Sequence, residues 1–399
     1  MQHFLVFLTA LAPFSIYAAT PAFTLTVAND LSDSPRRAET LVVPWPEVSA
    51  RLPGAQIDHV AVKFDGRLIP VQVTNFDPVN AEGHADALLF QHDFAAGERL
   101  ARFTVETTRY PVPPFPTKVF ARYVPERLDD FAWENDRVAH RVYGPALSLP
   151  SAGKNQLISS GVDLWVKRVR YPIVDRWYLK GEYHRDTGEG LDTYNVGKSR
   201  GAGGVGIWDG ARLLVSGNWK TWKILANGPV RTVFEITYDY GDAGGFTAKE
   251  TKRFTVDAGH NLDQVESTFE FRNPAGEITI GIGLAKMKEN STPELARDNV
   301  GRRWQSVWAE YPKNGRIGTG IVLAANAAPA DFAEDDLNYL ILTKAKPGQP
   351  LRYYIGAGWD RSGDFSDEKS WTAYLGDVGR RLSSPLKLEY SPAAATPKP

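Results

Sequence analysis

Three short stretches of this chain concentrate side chains able to bind and titrate a charged substrate, and all lie between residues 131 and 222. The first, Phe131 to Pro145, sets Trp133 beside Glu134, Asn135, Asp136, Arg137, His140, Arg141 and Tyr143. If 137–143 is a strand, its period of two puts Arg137, Ala139, Arg141 and Tyr143 on one face. Two guanidiniums and a phenol facing one way make an anion site, because a guanidinium grips a carboxylate as a fork. The plainer alternative is a solvated polar face over buried Val138 and Val142. The second stretch carries Lys167, Arg168 and Arg170, then a glycine-rich loop holding Tyr183, His184, Glu189, Asp192 and Tyr194. Loops that gather so many ionisable groups are costly to order unless they serve a site. The third, Gly217 to Trp222, adds Trp219, Lys220 and Trp222. Any single indole is more often core than platform, but the three stretches together point to a site for a polar, anionic sugar.

The elements that must hold these residues read as strands almost throughout. Phe23 to Val27 alternates, and His59–Phe64 meets Arg67–Val73 across Asp65-Gly66, a strong hairpin signal. With further strands at 87–90 and 99–106, residues 20–112 predict a small N-terminal β-sandwich domain. Four prolines between Pro111 and Pro116 stop the sheet and set a boundary. From 118 to 392 the pattern is again β, with long strands at 163–170, 230–238, 246–256, 263–271 and 277–284, and one helix after Ser366 in which Trp371, Leu375, Val378 and Leu382 keep helical spacing. This predicts a second, larger β domain over 118–392, and residues 393–399 read as a disordered tail. The fold class is all-β.

Composition narrows the partners. Lys+Arg (46) and Asp+Glu (47) leave a net charge of −1, so no global field selects nucleic acid. The absence of cysteine removes disulfides, thiolate metal sites and a cysteine nucleophile. Phe4 to Ile16 is apolar but too short to span a bilayer and is followed by Tyr17-Ala18-Ala19-Thr20, so 1–19 reads as a signal peptide. A periplasmic or secreted protein, without membrane insertion of the mature chain, is expected.

Other motifs are weaker. The run Arg200–Gly206 is no phosphate cradle, because a strand-turn-strand follows it where a dinucleotide loop needs a helix. His184, Asp186, Glu189 and Asp192 match no zinc spacing, and Asp360, Asp364, Asp367 and Glu368 are not in the order of an EF-hand. No metal ligand is assigned and no cofactor is identified.

Taken in order, Trp133–Arg137 with Arg141–Leu147, Gly161–Lys167, Tyr183-His184 with Gly188–Asp192, Gly201–Gly204, and Asn218–Trp222 with Asn227–Arg231 resemble the DUF4861 family. The resemblance runs from about residue 25 to 390. It implies a galactose-mutarotase-like β-supersandwich in the larger domain and a place in bacterial polysaccharide degradation. It further implies oligosaccharide dehydration of the kind met in ulvan breakdown, which takes water from a non-reducing-end uronic acid. Position 140 is usually apolar in the family pattern, so His140 is a poor catalytic candidate.

Such an elimination needs a cation on the carboxylate, a base for the C5 proton and an acid for the leaving 4-hydroxyl. Arg137, Arg141, Lys167 or Arg168 supplies the cation, His184 is the base because imidazole is the side chain best suited to general base work, and Tyr143 or Tyr183 is the acid or a second base. Trp133, Asn135, Glu189, Asp192, Lys220 and Trp222 complete the expected substrate contacts. Two rivals remain: a glycoside hydrolase drawing on Glu134, Asp136, Glu189 and Asp192, and a non-catalytic glycan-binding protein using Trp133, Trp219 and Trp222 as platforms.

Overall fold

The computed structural model describes residues 21–76, 84–242, 247–272, 275–286, 293–301, 303–328 and 330–392. The expected signal peptide and C-terminal tail lie outside the described residues.

Alternation in Ala22–Ala28 turns Phe23, Leu25 and Val27 inward, where they meet Val62, Phe90 and Phe103. Around this core a five-stranded sheet faces a three-stranded one made of Arg36–Pro44, Ala87–Phe94 and Val71–Thr74. The Asp65-Gly66 turn has φ of +48° and +74°, the two left-handed residues that a tight hairpin between twisted strands requires. The second strand of that hairpin stops earlier than the sequence suggested. Arg67–Ile69 pairs with Val60–Phe64, but Val71–Thr74 crosses to the opposite sheet and pairs with Ala87–Phe94. Pro70 stands between them and has no N–H to continue a ladder. The five-stranded sheet also recruits Lys387–Tyr390, which pairs antiparallel with Ala22–Ala28. The larger unit expected over 118–392 therefore lends its last strand to the smaller sandwich.

The rest of the chain builds three antiparallel sheets around one core. An eight-stranded sheet runs, in spatial order, Thr221–Asn227, Arg231–Asp242, Thr247–Asp257, Leu262–Phe271, Pro350–Trp359, Gly315–Leu323, Trp304–Tyr311 and Glu294–Arg297. Two five-stranded sheets join it: one includes Ala202–Trp208 and Ile278–Ala285, the other consists of Phe120–Val124, Asp130–Glu134, Val138–Val142, Asp163–Lys167 and Gly190–Leu191. Trp133, Phe234, Phe254, Ile280 and Tyr353 from all three sheets belong to the same buried cluster. The glycine run after Arg200 enters a strand, Ala202–Trp208, as its downstream pattern requires.

The one long helix among the described residues, Glu368–Ser383, starts at a reciprocal cap in which Asp367 accepts from the Ser370 N–H and Ser370 accepts from the Asp367 N–H. Its buried stripe of Trp371, Leu375 and Val378 packs with Leu262, Trp308 and Val322 of the eight-stranded sheet. The sheet makes room with glycine: a Cβ on Gly318 would lie 2.6 Å from the Trp371 ring. No helix among the described residues is long and apolar enough to cross a membrane.

Because Trp371 is fully buried, Trp371→Ala should cost about 3–5 kcal/mol. Urea denaturation should show a lower midpoint at unchanged slope.

Candidate functional site

The site is built on one face of the sheet formed by residues 120–191. Arg141 stands opposite Ala132 on one neighbour and Asp163 on the other, and Ala139 opposite Glu134 and Trp165. Directly paired residues share a face, so Asp130, Glu134, Arg141, Asp163, Trp165 and Lys167 point one way. Phe131, Trp133, Val138, His140 and Val142 point into the main core. Both faces are covered, which is why all five residues of Val138–Val142 are buried. The outer cover is residues 173–192, beginning with the helix Val174–Lys180 and its left-handed Gly181 cap. Trp165 is held between Trp177 and Tyr183, whose rings stack on it at 5.5 and 5.1 Å.

Arg141 is the hub of this layer. Its Nε donates to Asp163 at 2.7 Å and its Nη2 to Asp192 at 3.0 Å, and Nη1 lies 3.5 Å from Asp130. The guanidinium also lies over the rings of Tyr143, Trp165 and Tyr183 at 5.7, 5.4 and 5.9 Å. Three buried carboxylates against one guanidinium cannot all stay ionised cheaply. Burial, reinforced by the Asp163 charge, pushes Asp192 well above the usual carboxylate range. Burial takes Asp130 up to about 6 even though Arg141 pulls the other way. The Tyr143 phenol is likewise driven well up, by burial first and then by Asp163.

His184 sits at the edge of this cluster with its side chain 68% exposed. Its Nδ1 lies 3.1 Å from the Asp192 carbonyl oxygen and 3.5 Å from the Asp192 carboxylate. The ring is 4.6 Å from Tyr183, whose hydroxyl accepts a 3.4 Å hydrogen bond from Arg127 Nε. One imidazole nitrogen is thus anchored on a buried aspartate while Nε2 is left to meet a substrate, the orientation a general base needs.

The structure brings His184, Tyr183, Tyr143, Arg141 and Asp192 together and separates the other expected residues from them. Trp133 is fully buried and donates to Asp263 at 2.7 Å. Asn135 organises a turn: its side chain donates to the Asp257 and His260 carbonyls and accepts from the Arg137 and Val138 N–H groups. The expected row of free cations is instead a row of internal ion pairs. Lys167 is fully buried on Glu134 at 2.6 Å, Arg137 and Arg170 converge on Asp364, and Arg168 is taken by Asp186 while lying over Trp359 at 4.9 Å. Glu189 accepts from Tyr171, Arg176 and Trp177 and pins the covering loop. Lys220 is exposed, and Trp222 stacks on Tyr123 at 5.4 Å. Tyr123 lies on the opposite face of its strand from Arg122, which reaches over Tyr178, so Trp222 and Lys220 are divided from His184 by the sheet. A common carboxylate-pair site also fails to form, because Glu134, Asp136, Glu189 and Asp192 are all buried and hydrogen-bonded elsewhere.

Sequence reasoning missed Arg127, Asp130 and Asp163. The two aspartates left a signal: each heads a strand whose next residues are apolar, at the parity of the buried outer face. Among the described residues no group of three or more His, Asp or Glu side chains converges as a metal site. His140 belongs to the core, stacked on Trp133 with Nε2 3.6 Å from Asp263.

The family described as "Domain of unknown function (DUF4861)" matches residues 27–388. "Uncharacterized protein P7" of Formosa agariphila is 30% identical over 383 residues, covering 91% of this chain and 92% of that protein. Two solved structures are similar: a protein in the glycosyl hydrolase family 38 from Enterococcus faecalis, at 9% identity and a TM-score of 0.48, and an alpha-mannosidase from Enterococcus faecalis V583, at 10% identity and a TM-score of 0.48. Each match covers 93% of this chain and, respectively, 47% and 46% of the other, so the chain spans about half the length of these structures.

Two outcomes are expected from the buried pairs. Lys167→Ala strands Glu134 and should destabilise by about 3–5 kcal/mol, whereas Lys220→Ala should stay within about 0.5 kcal/mol, both read by urea unfolding. In the core pair, burial holds Asp263 protonated up to about 7, so its contribution is complete below 3.8 and lost as pH rises through 7. Burial holds His140 neutral down to about 4, so its contribution is complete above 6.5 and lost as pH falls through 4. The two slopes oppose one another between 4 and 6.5. Asp263→Asn removes the first, and stability should then climb across that window by up to about 1.4 kcal/mol per pH unit. An unchanged pH profile in the variant would refute this account.

Proposed function

The chain belongs to the DUF4861 family, and on that premise we propose that it is an exported carbohydrate-active enzyme that eliminates water across C4–C5 of a uronic acid in an oligosaccharide. The observation that carries the reading is the exposed His184 imidazole backed by buried Asp192, with Tyr183 and Arg127 beside it. The cations first considered for the substrate carboxylate, Arg137, Arg141, Lys167 and Arg168, are each occupied by an internal carboxylate. Arg127 is half-buried and makes no salt bridge among the described residues, so it takes that role.

In the proposed reaction Arg127 neutralises the uronate carboxylate, which makes the C5 proton more acidic. His184 Nε2 removes that proton, and the C5–H electrons form the C4–C5 double bond as the C4–O bond breaks. The departing oxygen takes the Tyr183 hydroxyl proton and leaves as water. The tyrosinate then recovers a proton from the imidazolium, which restores the starting state. Asp192 fixes the imidazole through Nδ1, and Arg141 holds Asp192. Anionic oligosaccharides are the substrate class.

Incubation with uronic-acid oligosaccharides should raise the ultraviolet absorbance of an unsaturated uronate without changing chain length. His184→Ala should lower the rate by about 10²–10⁴-fold and leave circular dichroism unaltered, since the side chain is mostly exposed. Arg127→Gln should lower kcat/KM for the free uronate while leaving a methyl-esterified substrate little affected. Absorbance with chain shortening would replace dehydration by a lyase, and new reducing ends without absorbance by a hydrolase. Binding with no change in the sugar would make this a glycan-binding module, and His184→Ala within tenfold of the parent would remove His184 from the mechanism.

A further inference from the structure

A cavity of about 470 Å³ lies where the strand Arg36–Pro44 of the first sandwich meets the eight-stranded sheet and the last turns of the helix Glu368–Ser383. It shares no residue with the Arg141 cluster. Its floor is apolar, supplied by Leu262, Val378, Leu386 and the ring of Tyr354, whose hydroxyl donates to Gln264 at 2.9 Å. Its charge is unbalanced. Arg36 and Arg381 both turn to a single carboxylate, Glu39, at 3.2 and 3.5 Å. The neighbouring acids are not spare, because Asp257 is closed on Arg231 by two 2.6 Å bonds and Glu266 is taken by Arg352.

Arg36 is only 3% exposed, and its Nε has no hydrogen-bond partner. Its other nitrogens are held by Asn29, the Ser384 carbonyl and Glu39, so the guanidinium cannot swing out to water. Arg381, 14% exposed, is held by the Pro35 carbonyl. Two fixed guanidiniums over one carboxylate leave an excess positive charge at the cavity wall, which an anion entering the cavity offsets.

We propose that this cavity binds an oxyanion, free or carried on a sugar acid of monosaccharide size, between Arg36 and Arg381. The guanidiniums supply the forked recognition that carboxylate, sulfate and phosphate share, and the apolar floor with Tyr354 suits the face of a sugar ring. The inference stands apart from the reading of His184, since neither set of residues depends on the other.

Isothermal titration calorimetry of the whole chain, in buffer free of phosphate and sulfate, tests it with inorganic phosphate, inorganic sulfate, glucuronate and glucose. Saturable binding of an oxyanion and none of glucose is expected. Binding of the inorganic ions alone assigns a free oxyanion as occupant, and binding of glucuronate that Arg381→Gln weakens assigns the sugar acid. Arg381→Gln should weaken binding roughly tenfold or more, whereas Glu39→Gln, which removes the competing carboxylate, should tighten it. These opposite signs separate a site from a folding defect, and His184→Ala should bind as the parent does. Failure of all three anions at millimolar concentration, equal binding of glucose, or unchanged affinity in Arg381→Gln overturns the proposal.

Discussion

One guanidinium, Arg141, holds together the candidate site. Its three carboxylate partners come from three separate places: Asp130 and Asp163 from the strands on either side, and Asp192 from the far end of the covering loop. Without the cation these acids would repel one another in a medium that screens poorly. With it, the loop is tied to the sheet at the residue that also anchors His184. The stacking of Trp165 between Trp177 and Tyr183 closes the same layer from the apolar side. The position of the exposed imidazole is therefore set from beneath, through Asp192 and the Arg141 that holds it.

The remainder of the larger β unit supports that layer through buried contacts on both faces. The inner face of the 120–191 sheet is locked by Trp133, His140 and Asp263, the outer face by Glu134 with Lys167 and by Glu189 with its three donors. Glu134 also accepts from the N–H groups of Ile173 and Val174, so a single buried carboxylate fixes both a lysine and the start of the covering helix. Burial moves Glu134 up and Lys167 down, each towards its neutral form, because desolvation outweighs their attraction. Such a pair contributes orientation more than net stability.

What could be read from sequence was what depends on local spacing. The Asp65-Gly66 turn, the alternation of Ala22–Ala28 and the stripe Trp371, Leu375, Val378 each follow from backbone geometry over a few residues. The neighbourhood of Arg141, Tyr183, His184 and Asp192 was legible too, because its loop and strand carry unusual densities of ionisable groups. Neutralisation was not legible. Lys167 finds Glu134 33 residues away, and Arg137 finds Asp364 227 residues away; neither separation leaves a pattern in the chain. A cation in sequence looks free until its partner arrives through the fold. The side of the sheet was equally hidden: Trp222 belongs to the same chain region as His184, yet Tyr123 receives it on the other face.

The strand Lys387–Tyr390 gives the molecule a direction in time. It completes the edge of the first sandwich beside Ala22–Ala28, so a sheet whose other strands lie within residues 22–107 waits for a strand made far later. An emerging chain carries the side of Ala22–Ala28 that awaits this partner as an unpaired edge while some 360 residues follow, a template for the wrong partner as much as the right one. Assembly of the two sandwiches is thereby coupled. Strands 22–28 and 387–390 meet in one sheet, so the first sandwich is not complete until the later one has been made.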